Sequence, residues 1–134
     1  MAALITYLVN KPLQASEVAE VFKASGIKRP HEDLERIQRM IDNADITISA
    51  WDNDKLIGIA RALTDYSYCC YLSDLAVDLN YQHQGIGKAL VQKLQDVLGD
   101  ETSLVLLSAP GAVDFYPRIG FEKSERAFVI ARKK

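Results

Sequence analysis

Cysteine is nearly missing from this chain: there are two, Cys69 and Cys70, and they are adjacent. Neighbouring cysteines are too cramped for an ordinary disulfide, so a cross-linked scaffold is excluded. They read as reduced, buried small hydrophobes, which suggests the cytosol. Only two histidines accompany them, and no Cys/His cluster with metal-ligand spacing is present, so the expectation is no metal. An excess of basic charge is also missing. Sixteen Lys and Arg face eighteen Asp and Glu, a formal net charge of -2, and the pI is about 5.7. A dedicated nucleic-acid binder is normally basic, so that class is disfavoured. No apolar run reaches the length of a membrane span. The opening Met1-Ala2-Ala3-Leu4-Ile5-Thr6-Tyr7 lacks a basic leader and a cleavage site, which adds to the expectation of a cytoplasmic protein. There is no repeat, low-complexity tract or linker. With 134 residues, 49% of them hydrophobic, the chain suits one domain, 1–134, built on one core.

What is present alternates between strand and helix patterns. Leu4–Val9 reads as a first strand. Ser16 is placed to cap a helix whose stripe is Val18, Val21 and Phe22, ending at Ser25-Gly26. Pro30 sits at the preferred first-turn position of a second helix, with Leu34, Ile37 and Ile41 on its buried face. Ile46–Trp51 and Leu56–Thr64 flank the turn Asp52-Asn53-Asp54-Lys55 and predict a hairpin. Gly58 marks a close approach or bulge. Trp51 reads as core rather than pocket lining. Tyr71–Val77 is an apolar run of strand length. After it, Ile86, Leu90, Leu94 and Val97 recur at helical spacing. Ser103–Ser108 has the composition of a strand buried on both faces. Pro110 opens a short helix through Tyr116, ended by Gly120. Phe121–Lys123 and Ala127–Ala131 predict a last hairpin that closes the sheet. The order is β-α-α-β-β-β-α-β-α-β-β, a mixed sheet with helices on both faces.

The stretch from Tyr81 to Leu90 carries the chemistry. A strand, a short polar turn, a glycine pair and a helix follow in that order. The helix start leaves backbone N–H groups without partners, the dipole adds partial positive charge, and glycine admits a ligand to the main chain. Phosphate or pyrophosphate suits such a place. Lys88 in the first turn is unfavourable against the dipole unless an anion sits there; the plain alternative is a solvated lysine after a tight turn. A Walker loop is excluded, because Lys88 is followed by Ala89 and the glycine spacing is absent. The dinucleotide fingerprint fails too, because Leu90 stands where its third glycine belongs.

Gln82-x-x-Gly85-x-Gly87 fits the pattern Gln/Arg-x-x-Gly-x-Gly/Ala without a departure. It resembles the acetyl-CoA pyrophosphate loop of the GCN5-related N-acetyltransferases, the GNAT superfamily. Leu75-Ala76-Val77-Asp78 resembles that family's fourth strand, and Asp114-Phe115-Tyr116-Pro117-Arg118-Ile119-Gly120-Phe121-Glu122 its late Phe-Tyr … Gly-Phe block. Two such blocks in the right order are far more specific than either alone. The resemblance is to a small, single-domain, bacterial-type member. It implies an α+β fold with a mixed, mostly antiparallel twisted sheet of about six to seven strands and four helices. A V-shaped splay is expected between strands 4 and 5. It also implies acetyl-CoA as co-substrate, bound by Leu75, Ala76 and Val77 and by Gln82, His83, Gln84, Gly85, Ile86, Gly87 and Lys88.

The activity implied is transfer of an acetyl group to a primary amine of a small molecule or peptide, by direct attack in a ternary complex. The rival is a CoA-binding regulatory or interaction module that keeps the fold without turnover, and another acyl donor is a further alternative. Tyr116, the Tyr of the Phe-Tyr pair, is the candidate acid for the leaving thiolate; helix packing is its plain alternative. The general base is less defined. The family's glutamate on the central strand corresponds to Tyr71 here, and Asp74 is the nearest carboxylate. Asp74 is a candidate base acting through water, or a hydrogen-bonded structural residue. Ala109 stands where many members place an Asn that contacts the cofactor. Lys28, Arg29 and His31, with Tyr66 and Tyr68, are candidates for acceptor contact. The acidic pI mildly favours a cationic acceptor. Small members often pair, which adds a homodimer to the expectations.

Overall fold

The computed structural model describes residues 4–134; Met1, Ala2 and Ala3, part of the stretch read for a leader, lie outside the described residues. Among these, five strands form one sheet in the order β1-β2-β3-β4-β5. They are β1 (Ile5–Val9), β2 (Ile46–Asp52), β3 (Lys55–Thr64), β4 (Cys69–Val77) and β5 (Ser103–Val105). The first three pairings are antiparallel and β4 with β5 is parallel. Four helices accompany them: α1 (Ala15–Ser25), α2 (Leu34–Asp42), α3 (Ile86–Leu98) and α4 (Phe115–Arg118). No described helix is long and apolar enough to cross a membrane.

Both sheet faces are covered, which is why β2 and β3 are buried along nearly their whole length. On one face, Leu90 and Leu94 of α3 pack on Ile46, Ile48 and Ala60. On the other, Phe22 of α1 and Ile37 of α2 cover Ile59 and Trp51. Trp51 is core, as its composition implied, and its indole N–H donates to buried Ser49 Oγ at 2.8 Å. Gly58 is a close-approach position. A Cβ there would stand 3.3 Å from Ala50 Cβ and 3.4 Å from both Ala76 O and Leu90 Cδ1.

Local chemistry moved several boundaries. Helix α1 starts two residues earlier than the Ser16 cap implied, with the Gln14 N–H donating to Glu17 Oε1 at 3.3 Å. Pro30 lies in a turn before α2, because Asp33 takes the capping role and its Oδ1 accepts from Arg36 N–H at 3.0 Å. In α3, Val91 and Leu98 point inward while Val97 is exposed, a rotation of the expected stripe.

The largest departure concerns the end of the chain. Strand β5 is three residues long rather than the expected Ser103–Ser108, and Val105 and Leu107 are about half exposed. The expected closing hairpin is absent from the described residues: 121–134 hold no strand, and Phe128 and Ile130 are almost fully exposed. The sheet therefore has five strands, not six or seven. Alternating apolar residues make a strand only where a sheet edge accepts them, and β5 pairs with β4 over just Cys69–Tyr71. Phe121 alone of this segment's large apolar residues still packs against the core.

Filling the gap at Gly58 is expected to overpack the junction of β2, β4 and α3. Gly58→Val should destabilise the fold by about 1–3 kcal/mol, read as a lower urea midpoint at unchanged slope. An unaltered midpoint would show that the gap tolerates a larger side chain.

Candidate active site

A cleft of about 770 Å³ opens along β4. It exists because β4 and β5 part company. They are paired at Cys69–Tyr71 with Ser103–Val105, and beyond Tyr71 no pairing continues. The cause lies within β4. Opposite β3, Arg61 pairs with Asp74 and Ala62 with Leu72, so Ser73 is an extra residue, a bulge. A bulge bends the strand that carries it and increases its twist.

Two arginines hold this bulge. Arg29, from the turn between α1 and α2, donates from Nε to Asp74 Oδ1 at 2.5 Å and from Nη2 to the Ser73 carbonyl at 2.8 Å. Arg61 of β3 donates from Nε to Asp74 Oδ2, and from Nη2 to Ser73 Oγ at 3.0 Å. Asp74 has no exposed surface. A buried carboxylate is tolerable only when paired and hydrogen-bonded. Here both oxygens are taken by guanidinium groups, so neither is free to receive a proton from an acceptor amine. This geometry favours the hydrogen-bonded structural role for Asp74 over that of base. Ser73 O is likewise occupied by Arg29 at the level where β5 leaves β4.

At the far end of β4, Asp78 Oδ1 accepts from Asn80 N–H at 2.9 Å and starts a tight turn, Leu79–Tyr81. Tyr81 O–H donates to Asp52 Oδ2 at 2.5 Å and ties the turn to β2. Gln82 lines the cleft, and its side-chain Nε2 donates to the Val77 carbonyl at 3.0 Å. His83 at φ 64° and Gly85 at φ 80° turn the chain into α3, where Gly85 is the N-cap without a side-chain cap bond. The first amide taken up by the helix is that of Ala89, to Gly85 O at 3.0 Å. The amides of Ile86, Gly87 and Lys88 precede it and have no partner among the described residues. Nothing lies within 4 Å of where a Cβ on Gly85 would stand, so the approach is open. Free amides, an uncapped dipole and open space suit a diphosphate.

The predicted site residues thus fall into three groups. Leu75, Ala76, Val77, Gln82 and Tyr116 line the cleft. His83, Gln84, Gly85 and Lys88 are exposed on the continuation of the loop. Ile86 and Gly87 have their main-chain amides at the helix start, as expected of the loop, and each also has a packing role. Ile86 is buried in the core and offers only its amide. A Cβ on Gly87 would meet Phe115 Cζ at 3.2 Å, so this glycine lets α3 seat against the Phe-Tyr segment. Tyr116 stacks edge-on between Phe115 and Phe121, with centroids 5.1 and 5.5 Å away. Burial pushes its hydroxyl above the ordinary value, and the Arg29 charge opposes this. Ala109 and Tyr71 also line the cleft, as do Lys28 and Arg29; His31, Tyr66 and Tyr68 do not. The Tyr66 O–H is spent on the Asp45 carbonyl at 2.8 Å.

Arg61 and Ser73 escaped the sequence reading. The signal was available: Arg61 is the sole charge in the apolar run Leu56–Leu63, and Asp74 the sole charge in Tyr71–Val77. Charges of opposite sign in neighbouring buried strands demand each other.

The family pattern described as an acetyltransferase (GNAT) domain matches residues 15–131. The chain belongs to the GNAT acetyltransferase family. This GNAT chain is similar to an uncharacterized N-acetyltransferase, ycf52, of Pyropia yezoensis: 29% identical over 121 residues, 85% of this chain and 68% of the relative. It is 46% identical over 70 residues to GCN5-related N-acetyltransferase 2, chloroplastic, of Arabidopsis thaliana, covering 51% of this chain and 27% of that protein. The GNAT chain spans between 27% and 32% of the length of that relative and of two acetyltransferase relatives from Glycine max. A probable acetyltransferase from meticillin-resistant Staphylococcus aureus shares the fold, with TM-score 0.84 over 98% of this chain and 100% of its own, at 20% identity. An aminoglycoside N-acetyltransferase in complex with CoA shares it with TM-score 0.70 over 100% of this chain and 98% of its own, at 16% identity.

Removing the charge that two arginines share should be costly. Asp74→Asn is expected to destabilise the chain by about 3–5 kcal/mol, since it leaves Arg29 and Arg61 uncompensated. Equilibrium urea unfolding checks this; a loss under about 1 kcal/mol would show that the arginines find other partners.

Proposed function

We propose that this chain is an acetyl-CoA-dependent N-acetyltransferase acting on a primary amine by direct attack within a ternary complex. The observation that carries the reading is the splay of β4 from β5 beyond Tyr71, with free amides at one end and Tyr116 on its wall. Acetyl-CoA, when bound, supplies an acyl group on a thioester. The amides of Ile86, Gly87 and Lys88 would take its pyrophosphate, and the parted edge at Leu75–Val77 its extended arm. Gln82 holds the strand end by bonding the Val77 carbonyl. Holding donor and acceptor along one strand removes much of the entropic cost of their meeting.

Tyr116 holds a proton at Oη for the sulfur that leaves. A free thiol has a pKa of about 8.5, below that of a phenol at about 10. With its pKa raised further by burial, Tyr116 is a fixed O–H donor to a developing thiolate more than a strong acid. The amine's proton has no free carboxylate to go to among the described residues lining the cleft, because Asp74 is committed to Arg29 and Arg61. Water in the open cleft takes it. That same missing base is what favours the second reading, a CoA-binding module without turnover. A cytoplasmic location stays part of the proposal, since Cys69 and Cys70 are free thiols.

Tyr116→Phe is expected to lower kcat by about 10²–10⁴-fold with little change in the KM for acetyl-CoA. Release of free thiol across an amine panel reads it out, and unchanged turnover would remove Tyr116 from the chemistry. CoA binding by calorimetry without thiol release from any amine would favour the module.

The pH dependence follows from the direction of the Tyr116 shift. A phenol is neutral when protonated, and its raised pKa keeps the O–H donor present at neutral pH and past pH 10. The donor is lost only as pH climbs through the raised value. The Tyr116-dependent part of kcat should therefore show no falling limb below about pH 10. A limb near pH 8 that disappears in Tyr116→Phe would contradict this.

A further inference from the structure

The cleft is charged in the opposite sense to the chain. Five cationic side chains line it, Lys28, Arg29, Arg36, Arg61 and Arg132, against a single carboxylate, Asp74. That leaves four net positive charges in a chain whose formal net charge is -2. The five do not have the same work. Arg29 and Arg61 are consumed by Asp74 and Ser73. Lys28 and Arg132 form no ion pair among the described residues. The Arg36 side chain is taken up elsewhere: its Nη2 donates to the main-chain O of Lys134 at 3.1 Å.

Their position separates them from the diphosphate site. Arg29 anchors this group at Ser73 and Asp74, roughly 10 Å along β4 from the Val77 end where Gln82 and the α3 amides lie. Lys28 adjoins Arg29, whose charge reaches Tyr116. Lys28 thus stands at the Ser73–Asp74 end of the cleft, the acceptor side of the proposed chemistry. Like charges gathered in a cleft repel each other and any polycation that enters, and they attract an anion.

We propose, resting on the acetyltransferase reading above, that the acceptor is an amine that also carries an anionic group, carboxylate or phosphate, held by Lys28 and Arg132. Polyamines and aminoglycosides are disfavoured by the same charges. This reverses the inference from the acidic pI, because the acidic residues lie elsewhere on the surface. It also assists the amine: a cationic surrounding favours its neutral, nucleophilic form.

The test is a thiol-release assay on the whole chain with acetyl-CoA and four probes: glutamate, phosphoethanolamine, spermidine and kanamycin. An anionic amine is expected to exceed both polycations in kcat/KM by about tenfold or more, and added salt should shrink the margin. Preference for glutamate or for phosphoethanolamine tells carboxylate from phosphate. In Lys28→Glu/Arg132→Glu the ratio of anionic to polycationic acceptors should fall by about tenfold or more, with an unchanged melting temperature and an unchanged Kd for CoA. Spermidine or kanamycin as the preferred acceptor overturns the inference and leaves the acetyltransferase reading standing. A weakened Kd for CoA with an unchanged acceptor ratio overturns it too, since the cations would then serve the cofactor's phosphates. Should no amine release thiol, the acetyltransferase reading falls; calorimetry of the CoA-loaded chain with the same probes then decides, and tighter spermidine than glutamate binding overturns the inference.

Discussion

A carboxylate with no exposed surface forces its surroundings to answer it, and here two arginines from different parts of the chain do so. Asp74 draws Arg61 across from β3 and Arg29 from the turn between α1 and α2. The same guanidinium groups reach Ser73, one to its carbonyl and one to its hydroxyl. The bulge at Ser73 is therefore fastened from both sides. A bulge left to itself weakens a strand; one held by charge-assisted bonds becomes a fixed bend. Because β5 ends its pairing just before this point, the bend opens the sheet where a cleft is useful.

The rest of the architecture keeps that opening rigid. Helix α3 packs Leu90 and Leu94 under one face of the sheet, and α1 and α2 press Phe22 and Ile37 on the other. Gly58 brings β3 within contact distance of Leu90, and Gly87 brings the start of α3 against Phe115. The second contact matters for chemistry. It places the free amides of the helix and the Phe-Tyr segment in one packed unit. Edge-on stacking of Tyr116 between Phe115 and Phe121 restricts its ring further.

Charge is distributed with similar economy. One carboxylate inside the cleft pairs with two arginines, while Lys28 and Arg132 stay unpaired among the described residues. Net charge reports on solubility and long-range attraction, whereas a cleft experiences only the charges that line it. A chain that is acidic overall can therefore present a basic mouth.

Much of this was legible in residue order. The strand–turn–glycine–helix succession around Gln82, Gly85 and Gly87, the Phe-Tyr block, and the hairpin of β2 and β3 all follow from local patterns, because periodicity, turn residues and caps act over a few residues. The splay was expected from resemblance alone. What the tertiary structure decided was long-range. It set the partners of Asp74, which lie 13 and 45 residues away in sequence. It left Phe128 and Ile130 uncovered. It also gathered cations from three separate segments at one cleft. Pairing of buried charges and acceptance of an edge strand depend on which surfaces meet, and no local pattern contains that information.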